Sequence, residues 1–214
     1  MKVLSRLPIS PFRIAFDDMK YEKVYKDALR LANKYGVTKF SNYLLYNFED
    51  EPVDLYYRLK INIDLSEEFG KHIYSFPMRY EDINKKDRSF ISETWNKHYI
   101  RSVKAILNVS KGVFGGDRSF FERAFGKNKD EYLTILSMPK DLLTYRNYYE
   151  NIGVTQKWKR LFNNLSKDEK EELMYLISND VFISSNYKIN KIISFYKIQF
   201  KKENVNEIKQ SVII

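Results

Sequence analysis

Cysteine is absent from all 214 residues, and this absence excludes whole classes of chemistry. No disulfide can form, and no thiolate is available for zinc or for an iron–sulfur cluster, centres that depend on soft sulfur ligands. Histidine is nearly absent too. The two that occur, His72 and His98, are isolated, so no dedicated zinc site is expected. There is no Gly-x-Ser-x-Gly elbow and no cysteine beside a histidine, which leaves hydrolase readings without support. Long apolar runs are missing: nothing approaches the roughly 18 uninterrupted apolar residues of a membrane span. The opening MKVLSRLPISPFR lacks the apolar core of a signal peptide, and a soluble, cytoplasmic protein is the expectation. Adjacent acids such as Asp17-Asp18 and Glu67-Glu68 read as solvation or caps rather than acid/base pairs.

What is present is ordinary globular material. With 43% hydrophobic residues, the chain can bury a core, and its length allows one large or two small domains. The net charge is +9, but residues 1–83 carry 13 Lys/Arg against 13 Asp/Glu, whereas residues 84–214 carry 24 against 15. The whole excess sits in the second segment. A basic segment can neutralise phosphates and hold nucleic acid, with Lys157, Lys159, Arg160, Lys201 and Lys202 as the candidate contacts. The competing reading is compositional, because abundant Lys, Asn, Ile and Tyr are what an A+T-rich coding sequence produces, and net charge speaks to solubility rather than fold.

Residues 11–83 alternate between strand and helix patterns. Phe12 to Phe16 is a short strand candidate. Tyr21, Val24, Tyr25, Ala28, Leu29 and Ala32 recur at helical spacing over 20–35, and Gly36 stops that helix. Val37 to Asn47 is rich in β-branched and aromatic residues and reads as a second strand; its alternation leaves open whether Asn42, Leu44 and Tyr46 or Ser41, Tyr43, Leu45 and Asn47 face inward. Glu49-Asp50-Glu51-Pro52 opens a helix over 52–69 through proline in its first turn and acids against its dipole. Leu55, Leu59 and Ile63 run down that helix to Gly70. His72 to Phe76 is a third strand, broken by Pro77. Strand, helix, strand, helix, strand predicts two right-handed βαβ units, hence a parallel sheet with both helices on one face.

These residues resemble a known family. The runs RIAFDD, ANKYGV, NYLLYNFEDEPVDLYYRLKINIDL and HIYSFPMRY are similar to strands four to six of a radical-SAM domain. KAILNVSKGVFGG and SFFERAFGKNKDEYLTILSMPKDLLTYRNYYE resemble the helical extension of one group within it. The likeness covers about residues 11–150. It departs from the family at the turn after the second strand, where Tyr46 to Pro52 lacks both customary glycines, and in the missing Cys-x-x-x-Cys-x-x-Cys loop. The resemblance implies an α/β fold, a half TIM-like parallel βα barrel over 1–83, followed by an all-helical, basic C-terminal segment over 84–214.

The same resemblance implies S-adenosylmethionine as a possible cofactor and a 4Fe–4S cluster held only by a partner chain. Ligands gather at the carboxyl ends of parallel strands. The candidates there are Asp17, Asp18, Asn42, Asn47, Ser75, Phe76, Met78 and Arg79. Asp17 or Asn47 would hold ribose hydroxyls, Phe76 or Met78 would pack on adenine, and Arg79 would face the surface or a phosphate. Asp18 is expected to cap the following helix, and the same reading stands beside the functional one for Asp17. No catalytic residue is assigned.

The second segment reads as helices throughout. Stripes of Trp95, Tyr99, Val103, Ile106 and Leu107, of Phe120, Phe121, Ala124 and Phe125, and of Tyr132, Leu133, Ile135 and Leu136 are core faces. Gly112, Gly115 and Gly116 mark a loop with no Lys-Ser/Thr after it, so it is not a P-loop. Ser166 and Glu169 form a capping box. Ile189, Ile192, Ile193, Tyr196 and Phe200 repeat at helical spacing with lysines between, a pattern shared by packed helices and by aromatic-basic nucleic-acid grips. Residues 84–94 are the expected junction.

A half-barrel leaves sheet edges and an inner face uncovered. Three readings follow: a split radical-SAM protein completed by a cysteine-bearing N-terminal half, a non-catalytic basic module contacting nucleic acid, or a truncated, inactive fragment.

Overall fold

The computed structural model describes residue 7 and residues 9–84 and 87–198. Its sheet has three strands in the order β1 (Phe12–Ala15), β2 (Phe40–Tyr46) and β3 (Ile73–Arg79), all parallel. Phe12 lies opposite Phe40, and Phe40 opposite Ile73. Helices α1 (Glu22–Lys34) and α2 (Pro52–Phe69) make the crossovers. Both cover the same face, because Tyr25 of α1 and Asn62 of α2 meet over the sheet beside Asn42 and Ser75. The chain is therefore an α/β protein with the expected parallel topology.

Local chemistry explains the element ends. Asp18 accepts the Lys20 amide at 2.8 Å and caps a short 3-10 turn that leads into α1. Asp54 accepts the Glu51 amide at 2.9 Å at the start of α2, and Gly70 closes α2 with φ of 61°, a left-handed conformation that suits glycine. Only part of the predicted α1 stripe is buried. Tyr25, Leu29 and Ala32 enter the core, while Val24 and Tyr21, the latter in the preceding 3-10 turn, stay exposed.

Pro77 does not break β3, contrary to the sequence expectation. The Ser75 amide and carbonyl bond to Phe114, away from β2, in an isolated antiparallel bridge. Two residues on, Pro77 presents its missing N–H to that same outer edge, where a strand tolerates proline.

Helices α3 (Lys97–Val109), α4 (Arg118–Phe125) and α5 (Lys129–Leu136) belong to the sheet's own compact unit, which extends to Leu136. The expected junction at 84–94 thus falls inside this unit. Tyr56 of α2 stacks on Tyr132 with centroids 5.3 Å apart and meets Phe121 at 5.4 Å. Burial of α2 on several sides follows, since the sheet lies against one side and α4 and α5 against another.

The second unit, from Ser137, is helical where described: α6 (Lys140–Thr144), α7 (Arg146–Asn151), α8 (Val154–Asn163), α9 (Lys167–Ser178) and α10 (Tyr187–Ile193). Its capping box is present, with Glu169 donating its amide to Ser166 Oγ at 3.2 Å and accepting the Ser166 amide at 2.9 Å. Trp158 and Phe162 stack at 4.8 Å in its core. Helix α10 ends at Ile193 in a 3-10 turn, earlier than the expected pattern to Phe200, which lies outside the described residues.

Candidate functional site

The carboxyl ends of β1 and β2 are tied together by one buried cation. Arg58 of α2 is fully buried and donates Nη1 to the carbonyls of Phe16 at 3.2 Å, Asp17 at 2.8 Å and Leu45 at 2.6 Å. Its Nη2 reaches Asp50 Oδ2 at 2.6 Å. Asp50 also accepts the Phe48 amide at 3.0 Å and the Trp95 indole at 3.2 Å. Burial pushes the Asp50 carboxyl above its ordinary pKa, while the Phe48 amide, the Arg58 guanidinium and the Trp95 indole pull it back down. Asp50 is the ion-pair partner of the Arg58 guanidinium inside the fold.

Between sheet and helices runs a second polar chain. Asn42 Nδ2 donates to the Tyr25 hydroxyl at 2.8 Å, Tyr25 donates to Asn62 Oδ1 at 2.7 Å, and Asn62 Nδ2 donates to Ser75 Oγ at 2.9 Å. Burial raises the Tyr25 pKa far above its usual value, against the pull of Asn42 and Asn62. Asn42 Oδ1 has no hydrogen-bond partner among the described residues.

These networks separate the predicted site residues. Asn42 and Ser75 lie on the helix-facing side of the sheet, committed to the buried chain, and do not join a rim. Asn47 is buried with φ of 66°. Its amide donates to the Phe90 carbonyl at 3.1 Å and its oxygen accepts the Ser92 amide at 3.1 Å, so it fastens the segment after β3. Arg79 straps the same segment through the carbonyls of Arg88 and Phe90. Asp17, Asn47 and Ser75, all candidates at the strand ends, therefore do not converge on one side of the sheet.

Asp17, Phe76 and Met78 do remain available. Asp17 is exposed at the end of β1, with Oδ1 accepting the Leu45 amide at 2.7 Å. Phe76 and Met78 stand on the sheet face away from the helices, where β2 contributes Ser41, Tyr43 and Leu45. This settles the phase of β2: Asn42, Leu44 and Tyr46 face the helices. The open face is aromatic and apolar, with Met78 50%, Tyr74 45% and Tyr43 37% exposed. Arg13, which sequence reasoning passed over, crosses it. Its Nε donates to Ser41 Oγ at 3.0 Å, its Nη1 to the Tyr43 hydroxyl at 2.8 Å, and its guanidinium lies 4.9 Å from the Tyr43 ring centre. The alternation Arg13-Ala15-Asp17 was the available signal.

The glycine loop is structural. A Cβ on Gly116 would lie 2.4 Å from Ser66 Cβ, and the Gly116 amide donates to His72 Nδ1 at 3.2 Å. Among the described residues no group of three or more His, Asp or Glu side chains could hold a metal ion, and no described helix is long and apolar enough to cross a membrane. In the second unit, Lys157, Lys159 and Arg160 are exposed on α8. Lys201 and Lys202 lie outside the described residues.

The chain matches no protein-family model, no curated protein and no solved structure.

Proposed function

We propose that this chain is the C-terminal part of a split or truncated radical-SAM protein, a half TIM-like barrel that supplies SAM-side and substrate-side residues to a cysteine-bearing N-terminal half. The observation that carries this reading is the open face of the sheet. Parallel sheets are ordinarily covered on both faces, yet here the helices α1 and α2 cover only one. In a closed βα barrel the face opposite the helices is the interior. The likeness in sequence runs through the same three strands.

The residues present fit S-adenosylmethionine in part. Phe76 and Met78, with Tyr43 beside Phe76 at a ring distance of 5.8 Å, offer flat and polarisable surface for adenine. Asp17 offers a carboxylate for ribose hydroxyls. Asn42, Asn47 and Ser75 serve the scaffold instead. The donor set does not fit a 4Fe–4S cluster, since the chain has no thiolate, and any radical-SAM catalysis requires the partner. The test is co-expression with a cysteine-bearing first half of a radical-SAM barrel. A one-to-one complex that Met78→Glu disrupts supports the reading, and failure of any such half to bind the folded chain sinks it.

A second reading is favoured by α8. Lys157, Lys159 and Arg160 have no acidic partner among the described residues, and such cations suit phosphates. Non-catalytic nucleic-acid binding through them would weaken linearly in log affinity as log salt rises. Replacing all three by Gln should then abolish it, whereas binding of neither SAM nor nucleic acid in any complex leaves an inactive fragment.

A further inference from the structure

We propose that the open sheet face pairs with the same face of a second copy of this chain, in a two-fold dimer held by reciprocal Arg13–Asp17 ion pairs. The argument is self-complementarity. In a two-fold interface, if residue i meets residue j, then j meets i. Along β1 and the two residues after it the alternation places Arg13, Ala15 and Asp17 in one row, with the Cα atoms of the two charged residues about 13 Å apart at the ordinary rise of a strand. Neither charge has an ion-pair partner among the described residues, and both are exposed. Asp17 uses Oδ1 for the Leu45 amide, and Arg13 uses Nε and Nη1 for Ser41 and Tyr43. Each keeps a free end.

A two-fold axis lying between the sheets, across the strands at the level of Ala15, turns one strand direction against the other. Arg13 then faces the second copy's Asp17, and Asp17 its Arg13. The same operation sets Tyr74 opposite Met78, a sulfur–aromatic pairing of useful strength. The row Ala15, Tyr43 and Phe76, aligned by register, sits on the axis. Sheets packed face to face stand roughly 10 Å apart, a gap these side chains span. Because β1 and β3 are the two edge strands, the ion pairs fall along one rim, the Tyr74–Met78 pairs along the other, and Tyr43 of β2 lies between them.

Three strands present a small face, at the low end of specific interfaces, so the dimer should be weak and its population should depend on concentration. It would occupy the surface assigned above to the cysteine-bearing half, and capture of that half would displace it. The inference uses that face but does not depend on the partner's existence, and the isolated chain tests it alone.

The experiment is sedimentation velocity of the purified chain over a concentration series. The expected wild-type result is conversion from the 25.7 kDa monomer to twice that mass. Arg13→Glu and Asp17→Arg should each weaken association about tenfold or more, and the double exchange Arg13→Glu/Asp17→Arg should restore it. Circular dichroism verifies folding. If Asp17→Arg does not fold, Asp17→Asn, which keeps an acceptor for the Leu45 amide, should still weaken the dimer. A chain that stays monomeric throughout, a dimer indifferent to Arg13→Glu, or a folded double exchange that stays monomeric would overturn the proposal.

Discussion

Arg58 and Asp50 form an ion pair at 2.6 Å with the arginine side chain wholly enclosed and the aspartate nearly so. The pair is a device for ending a parallel sheet. At the carboxyl ends of β1 and β2 the carbonyls of Phe16, Asp17 and Leu45 all turn to one guanidinium, while Asp50 fixes that guanidinium and holds Trp95 through its backbone carbonyl at 2.9 Å. Removing one partner of a buried pair costs about 3–5 kcal/mol, mainly through the charge left behind. Arg58→Met should therefore destabilise by at least that much, since four carbonyls, those of Phe16, Asp17, Leu45 and Asp54, also lose a donor. Asp50→Asn should cost about 3–5 kcal/mol as well, because it leaves the Arg58 guanidinium without a countercharge and turns an NH2 towards either that guanidinium or the Phe48 amide and Trp95 indole, all of them donors. Urea unfolding of the two variants measures both losses.

The buried chain from Asn42 through Tyr25 and Asn62 to Ser75 makes a separate prediction. Tyr25→Phe removes one hydroxyl and leaves both Asn42 Nδ2 and Asn62 Oδ1 unpaired. Unsatisfied buried groups cost about 1–3 kcal/mol each. The loss should appear in equilibrium unfolding, and a change under half a kcal/mol would show that the network contributes little.

Gly115 and Gly116 should respond in opposite ways. A methyl on Gly116 meets Ser66 Cβ at 2.4 Å, where α2 carries it, so Gly116→Ala should lose about 1–3 kcal/mol through overpacking. At Gly115 the nearest atoms are 3.6 Å away or more, in the Tyr74 and His72 side chains, and Gly115→Ala should be close to neutral. Thermal melts of the pair settle the contrast.

Acid should weaken the first unit through α2. Hydrogen bonding from Arg118 lowers the Glu67 pKa, and hydrogen bonding from Arg30 lowers that of Glu68. Burial raises Asp64, but Arg118 and Lys60 outweigh it and the net shift is downward. A carboxyl whose folded pKa lies below its unfolded value contributes stability that is present above the unfolded pKa, near 4, and is lost as pH falls through the folded pKa. Stability should thus decline in the acid range below the ordinary carboxylate values. Arg118→Met should flatten that decline, as measured by unfolding at a series of pH values, and an unchanged acid limb would contradict the assignment.

The parallel order of the sheet was legible because strand and helix periods alternate cleanly and two crossovers of ordinary length permit little else. Gly70 and the Ser166–Glu169 box were legible as local chemistry. Arg58 was not. A cation one residue before Leu59 reads as solvated, and only the polar stripe Arg58, Asn62 and Ser66, at helical spacing and buried in the fold, marks a face turned to backbone and polar groups. Asn42 and Asn47 read as ligand-binding for the mirror reason: polar residues in a strand pattern suggest a site, and sequence does not show that Tyr25 and the segment around Phe90 already hold them. Pro77 misled because its penalty depends on which edge its missing N–H faces.

The account turns on whether the open face completes a SAM site only with a cysteine-bearing half. Calorimetric titration of S-adenosylmethionine into the isolated chain, and into its complex with such a half after anaerobic reconstitution with iron and sulfide, tests this directly. The account predicts a colourless isolated chain with no tight binding, and in the complex a visible cluster with SAM affinity that Phe76→Ala and Asp17→Asn both weaken. Tight binding by the chain alone, or a loaded complex whose affinity ignores both substitutions, would contradict it.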